Sequence, residues 1–336
     1  MKILVTGGLG FIGSHTVVAL VQQGHEVVII DNLSNSSLDV LDRIALIINK
    51  KPEFYQVDVR DQQQLRDFFQ NHQDIEGCIH FAASKAVGES VEQPLHYYQN
   101  NISALINLLK ELTEIERCGL IFSSSCTVYG QADELPITEN APVKKAESPY
   151  GNTKQIGEEI ITDTTKVSDL QAISLRYFNP IGAHETAYIG ELPKGTPQNL
   201  VPYITQTAIG IIEELSVFGD DYPTDDGTCI RDYIHVVDLA EAHVVAVERL
   251  INQKNKTQFE VFNVGTGKGN SVLEVVKAFE TSTGVNLPYK IAPRRSGDVV
   301  AAYADTTKAN QELGWTAKHS LEDALKSAWK WQKNLA

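Results

Sequence analysis

The chain is short of several things, and each shortage excludes a class of protein. Only four cysteines (Cys78, Cys118, Cys126, Cys229) are scattered through 336 residues, with no C-x-x-C pair. That pattern argues against a disulfide framework and for free thiols in a reducing compartment. Nine histidines show no H-E-x-x-H or comparable ligand spacing, so no metal site is expected. No apolar run approaches the roughly 18 residues of a spanning helix. Met1-Lys2 leads straight into Ile3-Leu4-Val5-Thr6 without a signal-peptide pattern, and a cytoplasmic location is the expectation. Basic residues are outnumbered, 29 against 43 acidic ones, for a net charge of −14. A nucleic-acid surface would need a basic stripe that this balance disfavours. A pocket lined by a few arginines is still compatible with it.

What is present reads as a globular α/β chain, with 42% hydrophobic and 21% charged residues. At roughly 150 residues per domain, its length suggests two units. The first half alternates short apolar runs with helical patterns. Strands are expected at 2–6, 26–30, 53–57, 77–81, 120–123 and 172–177, and helices at 13–23, 98–112 and 150–166. Such alternation is the signature of a doubly wound parallel sheet. From 182 to 202 the chain is rich in Gly and Pro and reads as a long loop. Segments 232–250 and 259–264 look like returns to the sheet. The expected division is therefore a dinucleotide-binding domain over 1–180, joined by pieces of 232–264, and a smaller α/β substrate domain over 181–336.

Two motifs carry chemistry. Gly7, Gly10 and Gly13 follow a strand and open a helix, which allows a tight turn and close approach of the backbone to a diphosphate. Asp31 ends the second strand 18 residues after Gly13, where a carboxylate accepts ribose hydroxyls and repels a 2′-phosphate. NAD is thus expected over NADP. The second motif is Tyr150-Gly-Asn-Thr-Lys154, one helical turn apart behind the helix start Ser148-Pro149 and downstream of the serine-rich strand end Phe122-Ser123-Ser124-Ser125. A cation near the phenol is expected to lower its pKa from about 10 toward neutrality, making Tyr150 a base for an alcohol.

Together with further stretches, these residues resemble the extended short-chain dehydrogenase/reductase family, and within it the UDP-glucose 4-epimerases, over nearly the whole chain. The stretches include Gly7 to His15, Asp31-Asn32-Leu33, His80-Phe81-Ala82, Lys85 to Ser90, Ser123 to Gly130, Ser148 to Gly151 and Arg176 to Pro180. Asp220 to Thr224, Arg231 to His235 and Pro293-Arg294-Arg295 complete them. The resemblance implies a Rossmann-type sheet with bound NAD and a UDP-hexose substrate. It places Phe11 and Ile12 at the diphosphate, and Asp31, Asn32, Ser34, Asn35 and Ser36 around the adenosine ribose. Asp58 and Val59 fall by the adenine, and Phe81, Lys85, Asn100, Lys154 and Phe178 along the rest of NAD. For the UDP-hexose it implies Ser125, Tyr150, Asn179, Asn199, Leu200, Ser216, Val217, Phe218, Arg231, Arg295 and Asp298. Core packing is the competing reading for Leu200, Val217 and Phe218.

A 4,6-dehydratase relative would carry Thr-Asp-Glu where this chain has Ser125-Cys126-Thr127, and a non-catalytic NAD sensor need not keep Tyr150, Lys154 and Ser125 together. An enzyme acting on a different UDP-sugar is the third alternative. Cys126 stands where alanine is common in the family and reads as a packing substitution, while a thiol there also raises the prospect of sensitivity to alkylation. Four residues after Asp298, at the position bordering the sugar C2 substituent, the chain has Ala302, with Tyr303 next. A small residue there implies that UDP-GlcNAc and UDP-GalNAc are accepted too. The family also implies a homodimer, through the Tyr97–Lys110 and Tyr150 helices.

Overall fold

Apolar strands separated by amphipathic helices build the first half. The computed structural model describes residues 1–295 and 297–335. Its strands β1 (Lys2–Thr6), β2 (Glu26–Asp31), β3 (Glu53–Gln56), β4 (Gly77–His80), β5 (Gly119–Ser123) and β6 (Gln171–Tyr177) alternate with helices. The helices are α1 (Phe11–Gln22), α2 (Asp39–Ile48), α3 (Gln62–Gln70), α4 (Val87–Glu92), α5 (Pro94–Leu112) and α6 (Pro149–Thr165). Beyond them come β7 (Asn179–Ile181), α7 (Leu200–Ala208), β8 (Leu215–Phe218), β9 (Ile230–Arg231), β10 (Tyr233–His235) and α8 (Val236–Ile251). The chain closes with β11 (Phe259–Val264), β12 (Asn270–Ser271), α9 (Val272–Thr283), β13 (Tyr289–Ala292), β14 (Ala301–Ala302) and α10 (Leu321–Leu335).

Seven parallel strands form the central sheet in the order β11-β6-β5-β4-β1-β2-β3. Successive residues serve opposite faces. Ile3, Val5, Val27 and Ile29 join one core with residues of α1 and α8, while Leu4, Val28 and Ile30 join another with α3, α5 and α6. Winding reverses beside β1, because the chain runs outward through β2 and β3 and then crosses to β4 on the other side. Ligands of open α/β sheets bind at such a switch point, beyond the carboxyl ends of the strands.

The late segments divide. Strand β11 extends the sheet beyond β6, with Phe259 opposite Ala172, and α8 lies on the first face. Strand β10 does not return to the sheet as expected. It pairs with β7, while the edge of β6 belongs to the six-residue β11. The 182–202 stretch is irregular only to Asn199, after which α7 begins. A third core gathers Val201, Ile204, Val217, Phe279 and Leu325 from α7, β8, α9 and α10. Among the described residues no helix is long and apolar enough to cross a membrane.

Candidate active site

The turn after β1 is closed by glycine geometry. Gly7 has φ +67°, and a Cβ there would lie 2.8 Å from the Ala82 backbone nitrogen. A Cβ on Gly13 would overlap the Gly7 carbonyl oxygen, so neither position admits a side chain. Gly10 caps α1 without a side-chain bond, and the first turn holds no acidic residue. The positive end of the helix is thereby left to an external anion, beside half-buried Phe11 and buried Ile12. A dinucleotide diphosphate fits this cradle.

Asp31 ties the turn to the loop after β2. One carboxylate oxygen accepts from the Leu9 N–H (3.1 Å), the other from the Leu33 N–H (2.9 Å) and the Ser36 hydroxyl (2.8 Å). In the same loop the Ser34 N–H donates to Asn32 Oδ1, and Asn35 is exposed. Asn32 Nδ2 donates to Asp58 (3.2 Å), whose pKa the Arg60 guanidinium holds down at about 2. Val59, beside it, is buried. Across the crevice the Phe81 ring lies 4.7 Å from that of His243, and Asn100 Nδ2 donates to Ser84 Oγ (3.2 Å). Lys85 Nζ lies 5.8 Å from the centre of the Phe11 ring, which brings the loop after β4 to the glycine turn. Phe178 sits in a small wall of buried side chains with Val128, Tyr129, Ile137, Ala302 and Ala304.

At the end of β5 the serines meet helix α6. Ser148 caps this helix by accepting from the Gly151 N–H (3.1 Å), and Pro149 occupies its first turn. This start sets Tyr150 and Lys154 on one face. Lys154 Nζ donates to the Ser123 carbonyl (2.7 Å), 5.8 Å from the centre of the Tyr150 ring. Ser125 Oγ accepts from the Thr127 N–H (3.2 Å), which leaves its own hydrogen free to donate toward the crevice.

The expected lowering of the Tyr150 pKa does not hold in the protein alone. Burial pushes the phenol well above its usual value and the nearby Tyr177 adds to this, while Ser125 works in the opposite direction. Lys154 is turned to the Ser123 carbonyl. Its own pKa falls to about 8 through burial, with Glu158 opposing, so it is mostly charged at neutral pH. Burial raises the Cys126 thiol to about 11, which disfavours the thiolate, and the side chain packs against the wall of Val128, Tyr129 and Phe178.

On the opposite side of the crevice Arg231 and Arg295 converge on one carboxylate. Arg231 Nη2 is 3.5 Å and Arg295 Nε 3.0 Å from Asp298, with the Arg295 guanidinium 5.0 Å from the centre of the Phe218 ring. Strand alternation leaves Ser216 and Phe218 half-buried but turns Val217 into the third core, so the Val217 side chain is a packing residue. Leu200 opens α7 and packs against that same core. Asn199 Nδ2 donates to Glu191 (2.6 Å), and the Asn179 N–H donates to the Asp232 carbonyl. Ala302 is opposite Arg231 in the β14–β9 ladder and buried beside Phe178. Ser296 of the Arg-Ser-Gly-Asp run lies outside the described residues.

Sequence reasoning missed three carboxylates. Glu158, one turn beyond Lys154, accepts from Ser124 Oγ and Ser174 Oγ (2.7 Å each) and pairs with Arg176 (2.5 Å). Asp232 accepts from Thr266, Gly267 and Ala304 backbone N–H groups. Glu191 joins Lys85 to Asn199. The i+4 spacing of Glu158 from Lys154 and the place of Asp232 in the Arg231–His235 stretch were signals; Glu191 lies in irregular chain.

A serine facing a tyrosine that shares a helix face with a lysine is the proton-handling equipment of short-chain dehydrogenases/reductases. On a sheet wound like this one it defines an enzyme of their extended class. The family model described as GDP-mannose 4,6 dehydratase matches residues 4–328. The UDP-glucose 4-epimerase of Bacillus subtilis (strain 168) is 50% identical over 335 residues, covering 99% of this chain and 97% of the relative. Two crystal structures of UDP-glucose 4-epimerases superimpose on almost the whole chain. That from Stenotrophomonas maltophila, with bound NAD and formylated UDP-arabinopyranose, is 49% identical with TM-score 0.95, covering 100% of this chain and 98% of its own. That from Bifidobacterium longum, in complex with NAD+ and UDP, is 46% identical with TM-score 0.94, covering 99% and 98%. The chain belongs to the UDP-glucose 4-epimerase family. Its Ser125-Cys126-Thr127 carries none of the carboxylates a 4,6-dehydratase would use there.

Proposed function

We propose that this chain interconverts UDP-glucose and UDP-galactose through a 4-keto sugar, as an NAD-dependent isomerase. The observation that carries the reading is the Lys154 bond to the Ser123 carbonyl (2.7 Å), which sets the Tyr150 face of α6 against the serine end of β5. NAD, held by the glycine turn and the Asp31 loop, would supply the hydride acceptor and donor for sugar C4. Tyr150, as phenolate, takes the proton of O4 while the C4–H bond breaks. Ser125 donates to the same oxygen and holds it in place. Lys154 supplies the cation that keeps a buried phenolate tolerable. After the keto sugar turns its other face, Tyr150 returns the proton and the configuration at C4 is inverted.

The anchor for this rotation is remote from the reacting carbon. Arg231 and Arg295 suit a diphosphate, with Asp298 between them, so binding energy holds the nucleotide while the hexose turns. Asn179, Asn199, Ser216 and Phe218 complete the proposed UDP-sugar contacts. Residues 1–180, with pieces of 232–264, are assigned to NAD, and 181–336 to the sugar nucleotide. We place the enzyme in the cytoplasm as a homodimer whose contact uses the outer faces of α5 and α6. Sedimentation showing only 37 kDa particles at micromolar concentration would remove the dimer.

Ala302 sets a wider substrate range. A methyl group in place of a phenol leaves volume for an acetamido group, whereas overpacking costs about 1–3 kcal/mol. UDP-GlcNAc and UDP-GalNAc are therefore substrates as well. The deciding experiment mixes purified protein with UDP-galactose and no added NAD. UDP-glucose is the expected product, and none, despite bound NAD, overturns the reading.

A further inference from the structure

The irregular chain from Gly182 to Asn199 is pinned at its base to α10. The Ala183 N–H donates to Ser327 Oγ (3.0 Å), Asn334 Nδ2 to the Ala187 carbonyl (2.7 Å) and Trp331 Nε1 to the Glu191 carbonyl (2.9 Å). Arg43 of α2 reaches the Tyr188 carbonyl (3.4 Å). From this base two side chains cross to the proposed cofactor half. Lys194 Nζ donates to the Ser34 carbonyl (2.7 Å), in the loop that Asp31 organises. Glu191 accepts from Lys85 Nζ (3.1 Å), beside Phe11 at the glycine turn, and from Asn199 Nδ2 (2.6 Å) at the start of α7. The two contacts thus fall on the adenosine-ribose and diphosphate sides of the cradle.

We propose that residues 182–199 form a strap that retains NAD, with Lys194 and Glu191 as its latches, and that Glu191 couples cofactor retention to sugar-nucleotide binding. The inference rests on the function proposed above. An exposed ion pair is worth little by itself. Glu191 differs, because its side chain is only 11% exposed, it receives two donors, and its own carbonyl is fixed by Trp331. One carboxylate therefore orders a cofactor-side lysine and a substrate-side asparagine together. A ligand that fixes one orders the other in advance, and linkage makes the effect reciprocal. A reaction that restores its oxidised cofactor within every cycle needs no exchange, so a strap does not slow turnover.

The test measures release of NAD from the holoprotein into a solution containing an NAD-consuming enzyme, with and without UDP. Lys194→Ala and Glu191→Gln are each expected to release NAD about tenfold faster than wild type, within the usual range of coupling effects. UDP should slow release in wild type and in Lys194→Ala but not in Glu191→Gln. Lys277→Ala, on the exposed face of α9, should release NAD at the wild-type rate. Wild-type release from both latch variants overturns the strap, and an undiminished effect of UDP in Glu191→Gln overturns the coupling. A protein that neither carries nor takes up NAD overturns the underlying function, and this proposal with it.

Discussion

Tyr150 is where burial and chemistry pull against each other. A phenol inside the protein resists ionisation, and the mechanism proposed above requires a phenolate when O4 gives up its proton. Removing the hydroxyl isolates that role. Tyr150→Phe should lower turnover of UDP-galactose by about 100- to 10,000-fold, the span of general base catalysis. Retained NAD absorbance in the purified variant shows that the cradle is intact, and turnover within a few-fold of wild type would sink the assignment. Lys154 imposes a second signature: its charge is lost as pH rises through about 8, so turnover should fall above that value. At the substrate end, Ala302→Tyr should abolish UDP-GalNAc epimerisation and spare UDP-galactose. Absence of UDP-GalNAc turnover in wild type would remove the gate. Tyr150 and Lys154 were legible because spacing on a helix is a sequence property. Their pKa values were not, since burial depth comes from the packing of remote strands. Cys126, read as a packing substitution, does pack against Val128, Tyr129 and Phe178.

At the scale of elements, local chemistry announced itself best where it was strongest. The glycine turn, Asp31 at the end of β2, and the Ser-Pro start of α6 all stand where the spacing put them. Strand β10 shows the limit. Three residues carry no information about which edge they will join: in the folded chain the longer β11 pairs with β6, and β10 pairs with β7. The buried Glu158–Arg176 pair was hidden for a similar reason, because charged residues read as surface until a fold encloses them. Gly13→Ala tests the tightest of these devices. With its Cβ driven into the Gly7 carbonyl, the variant should lose bound NAD and melt at a lower temperature. Normal cofactor content in this variant would show that the turn relaxes. Ser271→Ala removes one half of the capping box on α9 and should cost about 1 kcal/mol without altering turnover, as read by urea unfolding and by assay.

The molecule as a whole carries an acid liability. His15 and His80 are held near 3 and His243 near 4 by burial, against 6.5 for free imidazole. Between those values the unfolded chain binds protons that the folded chain refuses, so stability is complete above about pH 6.5 and drains away as pH falls. Each such group contributes up to about 1.4 kcal/mol per pH unit across its window. Asp58, held at about 2, adds to the loss only below about pH 4. Melting temperature should therefore decline steadily from pH 6.5 to pH 4. A flat profile over that range would mean that these imidazoles take up protons without unfolding the protein.

One feature of the sheet also concerns synthesis. Strand β6 is complete at Tyr177, but the strand that covers its edge begins only at Phe259. At roughly 5–20 residues per second, the intervening eighty or so residues take about 4–16 s to leave the ribosome. For that interval the nascent chain holds an open, apolar strand edge, a template on which strands from neighbouring chains add, and until α8 is complete at Ile251 the α1 face it covers is bare as well. The emerging polypeptide is thus most in need of chaperone cover at mid-translation, and a ribosome stalled between these points would display the hazard continuously.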